Sequence, residues 1–207
     1  MRFLIVFLGV VFSCSGWSAD RPQTGDLIFQ TSQSSQANAI KEATGSKWTH
    51  MGVVVVDGGE VLVYEAIQPV KVTPFRDFVR RGKDNYFEVK RLRSKELDMS
   101  KPRNQSQLVE ALESRLGQNY DIYFEWSEDR IYCSEYAFKS YFDAFQVEVG
   151  EVQRYRDLRL DGPYMKKLIY ERITKTGRKL NLDELIVSPV SVFESENLIS
   201  VNYQQIL

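Results

Sequence analysis

The segment from Trp48 to Ala66 limits the fold of this chain more than any other. Trp48 to Val56 is apolar and rich in β-branched residues, ending in Val53-Val54-Val55-Val56. Such side chains pack well on a pleated strand and lose rotamer freedom in a helix. Asp57-Gly58-Gly59 then reads as a turn, and Glu60 to Ala66 as the returning strand. Two apolar runs joined by a glycine turn make an antiparallel hairpin. Further elements flank it. Thr24-Gly25-Asp26 introduces a first strand at Leu27-Ile28-Phe29, and Ser32 to Ala43 reads as a helix with Gly45 just after it. Pro74 to Arg81 is a short helix and Tyr86 to Leu92 an alternating strand. Gln105 to Leu116 is an amphipathic helix ended by Gly117. Ser134 to Phe145 carries Ala137, Phe138, Tyr141, Phe142 and Phe145 at helical spacing. From Glu148 onward charged helical segments alternate with short apolar runs, and no chemistry can be placed there. Strands gathered in the middle with helices on either side predict an α+β fold.

Residues 1–19 have the three parts of a secretory leader: Arg2, the apolar stretch Phe3 to Phe12, and small residues leading to Ala19. The expected organisation is a signal peptide over 1–19 and one domain over 20–207, exported to the periplasm or secreted. A lipoprotein leader with Cys14 as the lipidated residue is the alternative. The apolar stretch is shorter than the roughly 20 residues a spanning helix needs, and no other segment is a candidate, so no transmembrane segment is expected in the mature chain. The chain has 27 Lys plus Arg and 28 Asp plus Glu, a net charge of −1, and loss of Arg2 with the leader takes it to −2. That balance offers no strong attraction to nucleic acid or anionic lipid.

The chain contains one histidine, His50, and beyond the leader one cysteine, Cys133. His50 precedes Met51-Gly52 and the valine run, while Cys133 stands in Tyr132-Cys133-Ser134-Glu135 at the start of the apolar helix. A lone thiol forms no internal disulfide, and taken alone it reads equally well as a small core residue. At a helix N-terminus, however, the partial positive charge and free N–H groups favour a thiolate nucleophile, and an imidazole supplies its acid–base partner. The backbone N–H of Cys133 would serve as an oxyanion donor. Glu65, on the returning strand, is a candidate to orient the imidazole. If they straddle the turn near 57 and 58, His50 and Glu65 are cross-strand or diagonal neighbours, and an even-length loop centred between Asp57 and Gly58 would pair them directly; otherwise Glu65 is a solvated face residue. Tyr120, in Gly117-Gln118-Asn119-Tyr120-Asp121, is a candidate to donate to the oxyanion or fix substrate, or else an aromatic core anchor. Asp121, Glu128 and Asp129 with one histidine make a poor transition-metal site, and no dinucleotide or phosphate-loop fingerprint is present. Neither a metal nor a cofactor is expected.

Several segments together resemble the NlpC-type papain-like hydrolases in their circularly permuted, YiiX-like branch, which is related to the lecithin:retinol-acyltransferase-like proteins. They are Gly25-Asp26-Leu27-Ile28-Phe29-Gln30, Ser34-Ser35-Gln36 with Ala39-Ile40, His50 with Gly52, Tyr64-Glu65-Ala66, Pro69-Val70-Lys71, Gly117 with Tyr120-Asp121, Trp126 to Asp129, Tyr132 to Glu135, and Val187-Ser188-Pro189. The resemblance implies a papain-like α+β fold, with a small antiparallel barrel-like sheet packed against the Cys-bearing helix. It implies a Cys133–His50–Glu65 triad acting on an amide or ester bond, with Tyr120 near the nucleophile. The substrates implied are a cell-wall-type peptide, an amino-acid amide, or an acyl or lipid conjugate. A non-catalytic binding module with the same groove, or an acyltransferase using the same triad, are the alternatives.

Overall fold

The computed structural model describes residues 20–203 except Ser94 and Glu96, so the leader and Cys14 lie outside the described residues. In chain order the elements are β1 (Leu27–Ser32), α1 (Ala37–Thr44), β2 (His50–Asp57), β3 (Glu60–Glu65), β4 (Lys71–Pro74), α2 (Phe75–Arg80) and β5 (Gly82–Leu92). There follow α3 (Pro102–Glu113), β6 (Asn119–Tyr120), β7 (Arg130–Ile131), α4 (Cys133–Phe145), β8 (Val152–Arg154), α5 (Pro163–Thr176), β9 (Leu185–Val187), α6 (Pro189–Phe193) and β10 (Leu198–Val201).

Six strands form one antiparallel sheet in the order β10-β5-β1-β2-β3-β4, with β1 and β2 at its centre. Side chains alternate across it, because successive residues of a strand point to opposite faces. Leu27, Phe29, Met51, Val53 and Val55 join the larger core with α3 and α4. Ile28, Val54, Val63 and Val89 join a smaller core with Phe75, Phe78, Val79 and Tyr203 under α2. Burial on both faces explains why β2 reads as a continuous apolar run rather than an alternating one.

The hairpin turns one residue later than the spacing suggests. Asp57 pairs with Glu60, so the loop is Gly58-Gly59, both at positive φ (54° and 89°). Two left-handed residues suit a tight turn whose twist matches that of the strands. The expected helix over Ser32–Ala43 begins only at Ala37, because β1 continues to Ser32. The expected helix from Pro74 begins at Phe75, with Pro74 closing β4. The region beyond Glu148 completes the body of the protein. Within it β10 pairs with β5, α5 packs on α1, and β9 and α6 pack on α4.

Candidate active site

His50 opens β2 and Cys133 opens α4. The imidazole belongs to the sheet face covered by α2, stacked on Phe78 with ring centroids 5.6 Å apart. Cys133 belongs to the larger core on the other face. Both stand at element ends, which is how side chains from opposite faces of a sheet meet.

The Nε2 atom of His50 lies 2.6 Å from Glu65 Oε2, which leaves Nδ1 available to Cys133, a residue near enough to help raise the imidazole pKa. With the turn at Gly58-Gly59, the two residues are diagonal, not directly opposite. The register that pairs Val53 with Tyr64 sets Gly52 across from Glu65. Gly52 makes the diagonal possible. A Cβ there would lie 2.5 Å from Val63 Cγ1, 2.9 Å from the Tyr64 carbonyl oxygen and 3.4 Å from Glu65 Cβ.

Glu65 is fully buried. Its other oxygen, Oε1, accepts a hydrogen bond from Thr73 Oγ1 at 2.6 Å and an ion pair from Arg81. Burial raises the pKa of a carboxylate, but the hydrogen bonds and charges of His50, Thr73 and Arg81 outweigh it and hold Glu65 below its ordinary value. For His50 burial acts downward, and the hydrogen bonds and charges of Cys133 and Glu65 outweigh it, holding the pKa at about 9. The imidazole is therefore protonated at neutral pH. Thr73 and Arg81 were not among the residues singled out from the sequence, because their contact with Glu65 depends on β4 and the end of α2 closing over β3.

The start of α4 is braced by the chain's last third. Ser134 Oγ donates to the Val187 carbonyl at 2.8 Å, and the Tyr132 hydroxyl accepts from Val187 N–H at 3.1 Å. Glu135, fully buried, accepts from Tyr132 N–H at 3.4 Å and pairs with Lys139 at 2.9 Å. Burial pushes its carboxyl up to about 7, against the opposing pull of Lys139. Tyr120 is half-buried, with its pKa raised by burial and by the charges of Cys133 and Asp121, so its hydroxyl stays protonated beside the thiol. Asp121 serves the local loop, accepting from the N–H groups of Tyr123 at 2.7 Å and Glu125 at 2.6 Å. Glu128 turns instead to Lys139 and Arg115.

Two cavities adjoin the pair and share Ile40 and Thr49 in their walls. The one lined by Cys133 is small, about 40 Å³, and apolar, with Phe124, Leu168 and Val187 among its walls. The one lined by His50 is about 690 Å³ and mixed in character, walled by Gln33, Ser34, Gln68 and Arg81 and also by Ile40, Ala66, Ile67 and Ile122. Gln30 pairs across β1 and β2 with His50, which puts both side chains on one face. It is 1 % exposed, and its Oε1 has no hydrogen-bond partner. An unpaired buried polar atom costs on the order of 1–3 kcal/mol. Nothing in the sequence separates Gln30 from the other glutamines of its segment; the strand register does.

The chain matches a family model described as permuted papain-like amidase enzyme, YaeF/YiiX, C92 family, over residues 21–202. It is 37 % identical over 200 residues to the uncharacterized protein YiiX of Escherichia coli strain K12, covering 97 % of this chain and 94 % of that one. The crystal structure of YiiX from Escherichia coli O157:H7, described as a metalloprotein, superposes with a TM-score of 0.80 at 37 % identity, covering 87 % of this chain and 96 % of that one. The present residues do not fit a resident metal. Among the described residues no three His, Cys, Asp or Glu side chains are grouped to hold one, and the Glu65 carboxylate is already taken up by His50, Thr73 and Arg81. With an α+β architecture, an antiparallel sheet packed against the Cys-bearing helix, and this match along nearly all its length, the chain belongs to the permuted papain-like amidase family, YaeF/YiiX, C92.

Proposed function

We propose that this protein is a cysteine amidase in which Cys133 attacks a carbonyl, His50 moves the proton and Glu65 holds the imidazole. The observation that carries this reading is the position of His50, hydrogen-bonded at Nε2 to a buried carboxylate and close enough to the only thiol among the described residues for Cys133 to help raise its pKa. An imidazolium held to about pH 9 supplies the counter-charge that a thiolate requires. In acylation the S–C bond forms and the leaving group departs with the proton from His50. Water then attacks the thioester, passing a proton to His50 as the C–S bond breaks. The backbone N–H of Cys133, at the start of α4, and the Tyr120 hydroxyl are the donors for the oxyanion.

The two cavities bear on the substrate. The apolar one beside Cys133 holds only a few heavy atoms, whereas the one beside His50, with both polar and apolar walls, is larger by more than an order of magnitude. A peptide or amino-acid amide suits that partition better than a long acyl chain. We read residues 1–19 as the leader that delivers the protein to the periplasm.

The test is alkylation of Cys133 by iodoacetamide across pH 5–10, in the wild type and in His50→Ala. The expected result is wild-type reactivity that persists to lower pH than in the variant, and loss of amidase turnover in both His50→Ala and Cys133→Ala. Reactivity indifferent to His50 would remove the catalytic reading.

A further inference from the structure

The chain's net charge of −1 is made of unequal parts. Residues 163–180, which contain α5 and the turn after it, hold six basic residues and a single acidic one, Glu171. Arg172 is buried and Arg178 pairs with Glu125 at 2.7 Å, so the charge that stands free in solvent belongs to Lys166, Lys167, Lys175 and Lys179. Of these four only Lys167 has a carboxylate partner among the described residues, Glu171 at 3.9 Å.

The packing of α5 fixes which face is outward. Met165 is buried, Leu168 and Ile169 pack against the larger core, and Met165 and Leu168 wall the small cavity beside Cys133. On the opposite side Lys166, Tyr170 and Ile173 fall at i, i+4 and i+7 along one stripe, with Lys167 beside it. Tyr170 is 71 % exposed, more than any other large hydrophobic side chain among the described residues, and Ile173 is 38 % exposed. Lys179 and Ile173 line one cavity, so the turn after the helix adjoins this stripe.

Exposed apolar groups ringed by lysines have a definite complement. A lysine stem lies along apolar material while its ammonium stays in water, and a tyrosine ring settles at the level of lipid headgroups. An anionic bilayer surface offers phosphates to the first and an interface to the second. No helix among the described residues is long and apolar enough to cross a membrane, so the contact is one of surfaces. We propose that the outer face of α5 docks on an anionic lipid bilayer, with Lys166, Lys167, Lys175 and Lys179 at the headgroup phosphates and Tyr170 and Ile173 in the interface. The near-neutral balance of the whole chain conceals this face, because attraction to a charged surface acts within about one Debye length, roughly 8 Å at physiological salt. The assignment does not depend on the amidase reading.

The experiment sediments the protein without residues 1–19, so that the apolar leader adds no lipid affinity of its own. The vesicles are phosphatidylcholine alone, or equal parts phosphatidylcholine and phosphatidylglycerol. Binding is expected to the second kind only, and to weaken as salt is raised. Lys166→Gln with Lys175→Gln is expected to lower the affinity about fivefold for each lysine removed. Tyr170→Ser with Ile173→Ser is expected to lower it as well, while Lys83→Gln with Lys101→Gln, on exposed lysines outside α5, leaves it unchanged. Iodoacetamide alkylation of Cys133 at the wild-type rate shows that each variant is folded. Equal binding to both vesicles, no binding to either, or an equal loss in the Lys83 and Lys101 variant overturns the proposal. So does a dimer in analytical ultracentrifugation that Tyr170→Ser dissolves, since the face would then be a contact between copies of the chain.

Discussion

At the scale of single residues, the site works by charge held in a buried place. Glu65 would be costly alone in the interior, and it is stable there because three partners share its two oxygens. His50 in turn gains a proton in the folded protein that it lacks in the unfolded chain over a defined pH range. Its pKa rises from an ordinary 6.5 to about 9 on folding. The bound proton therefore stabilises the native state fully below about pH 6.5, and that contribution is lost as pH rises through 9. The shift corresponds to at most roughly 3 kcal/mol. Urea denaturation is expected to show stability falling between pH 6.5 and pH 9, with a smaller fall in Glu65→Gln, where the carboxylate charge is gone. Because His50 is the chain's one histidine, its ring proton resonance can be titrated without assignment. Glu65→Gln is expected to move that titration to lower pH, and an unmoved midpoint would show that the carboxylate does not support the imidazolium.

Among the elements, the β2–β3 hairpin sets the distance between imidazole and carboxylate. Its loop is Gly58-Gly59, and this makes His50 and Glu65 diagonal across a glycine. The expectation centred the loop one residue early, although the adjacent glycines were the better signal for a turn needing two positive φ values. Gly52 is the place to test the arrangement. In Gly52→Ala the new methyl would crowd Val63 Cγ1 and the Tyr64 carbonyl, forcing β2 from β3 at the level of the diagonal pair. Overpacking of this kind costs about 1–3 kcal/mol. Chemical denaturation is expected to show a loss of that size, together with slower Cys133 alkylation at neutral pH.

Over the whole molecule, the two ends of the described chain are joined through Asp26. Its buried carboxylate accepts from Arg91 Nε at 2.6 Å and Nη2 at 2.7 Å, from Gln23 N–H at 3.0 Å and from the Tyr203 hydroxyl. Tyr203→Phe removes one hydrogen bond to a charged acceptor far from the thiol, a loss of about 1.5–3 kcal/mol. Thermal or urea unfolding should register it while the pH profile of Cys133 alkylation stays in place; a changed profile would mean that this junction positions the site. The last third of the chain illustrates why such couplings escaped the sequence reading. Val187 and Ser188 were conspicuous only as part of a resemblance, and folding makes Val187 the brace for both Tyr132 and Ser134 at the start of α4. The chain by itself determined what depends on near neighbours: the valine-rich strand, its glycine turn, the apolar helix after Cys133, and the identity of the one imidazole and the one thiol beyond the leader. Rotamer preferences, turn dihedrals and helix periodicity act over a few residues and leave a local record. Only the tertiary structure decided that His50 reaches Glu65 diagonally, that Thr73 and Arg81 complete the carboxylate's partners, and that Gln30 Oε1 is left unpaired against Gly82. Those outcomes depend on strand register and on which elements close over the sheet, and they follow from packing among residues far apart in the chain.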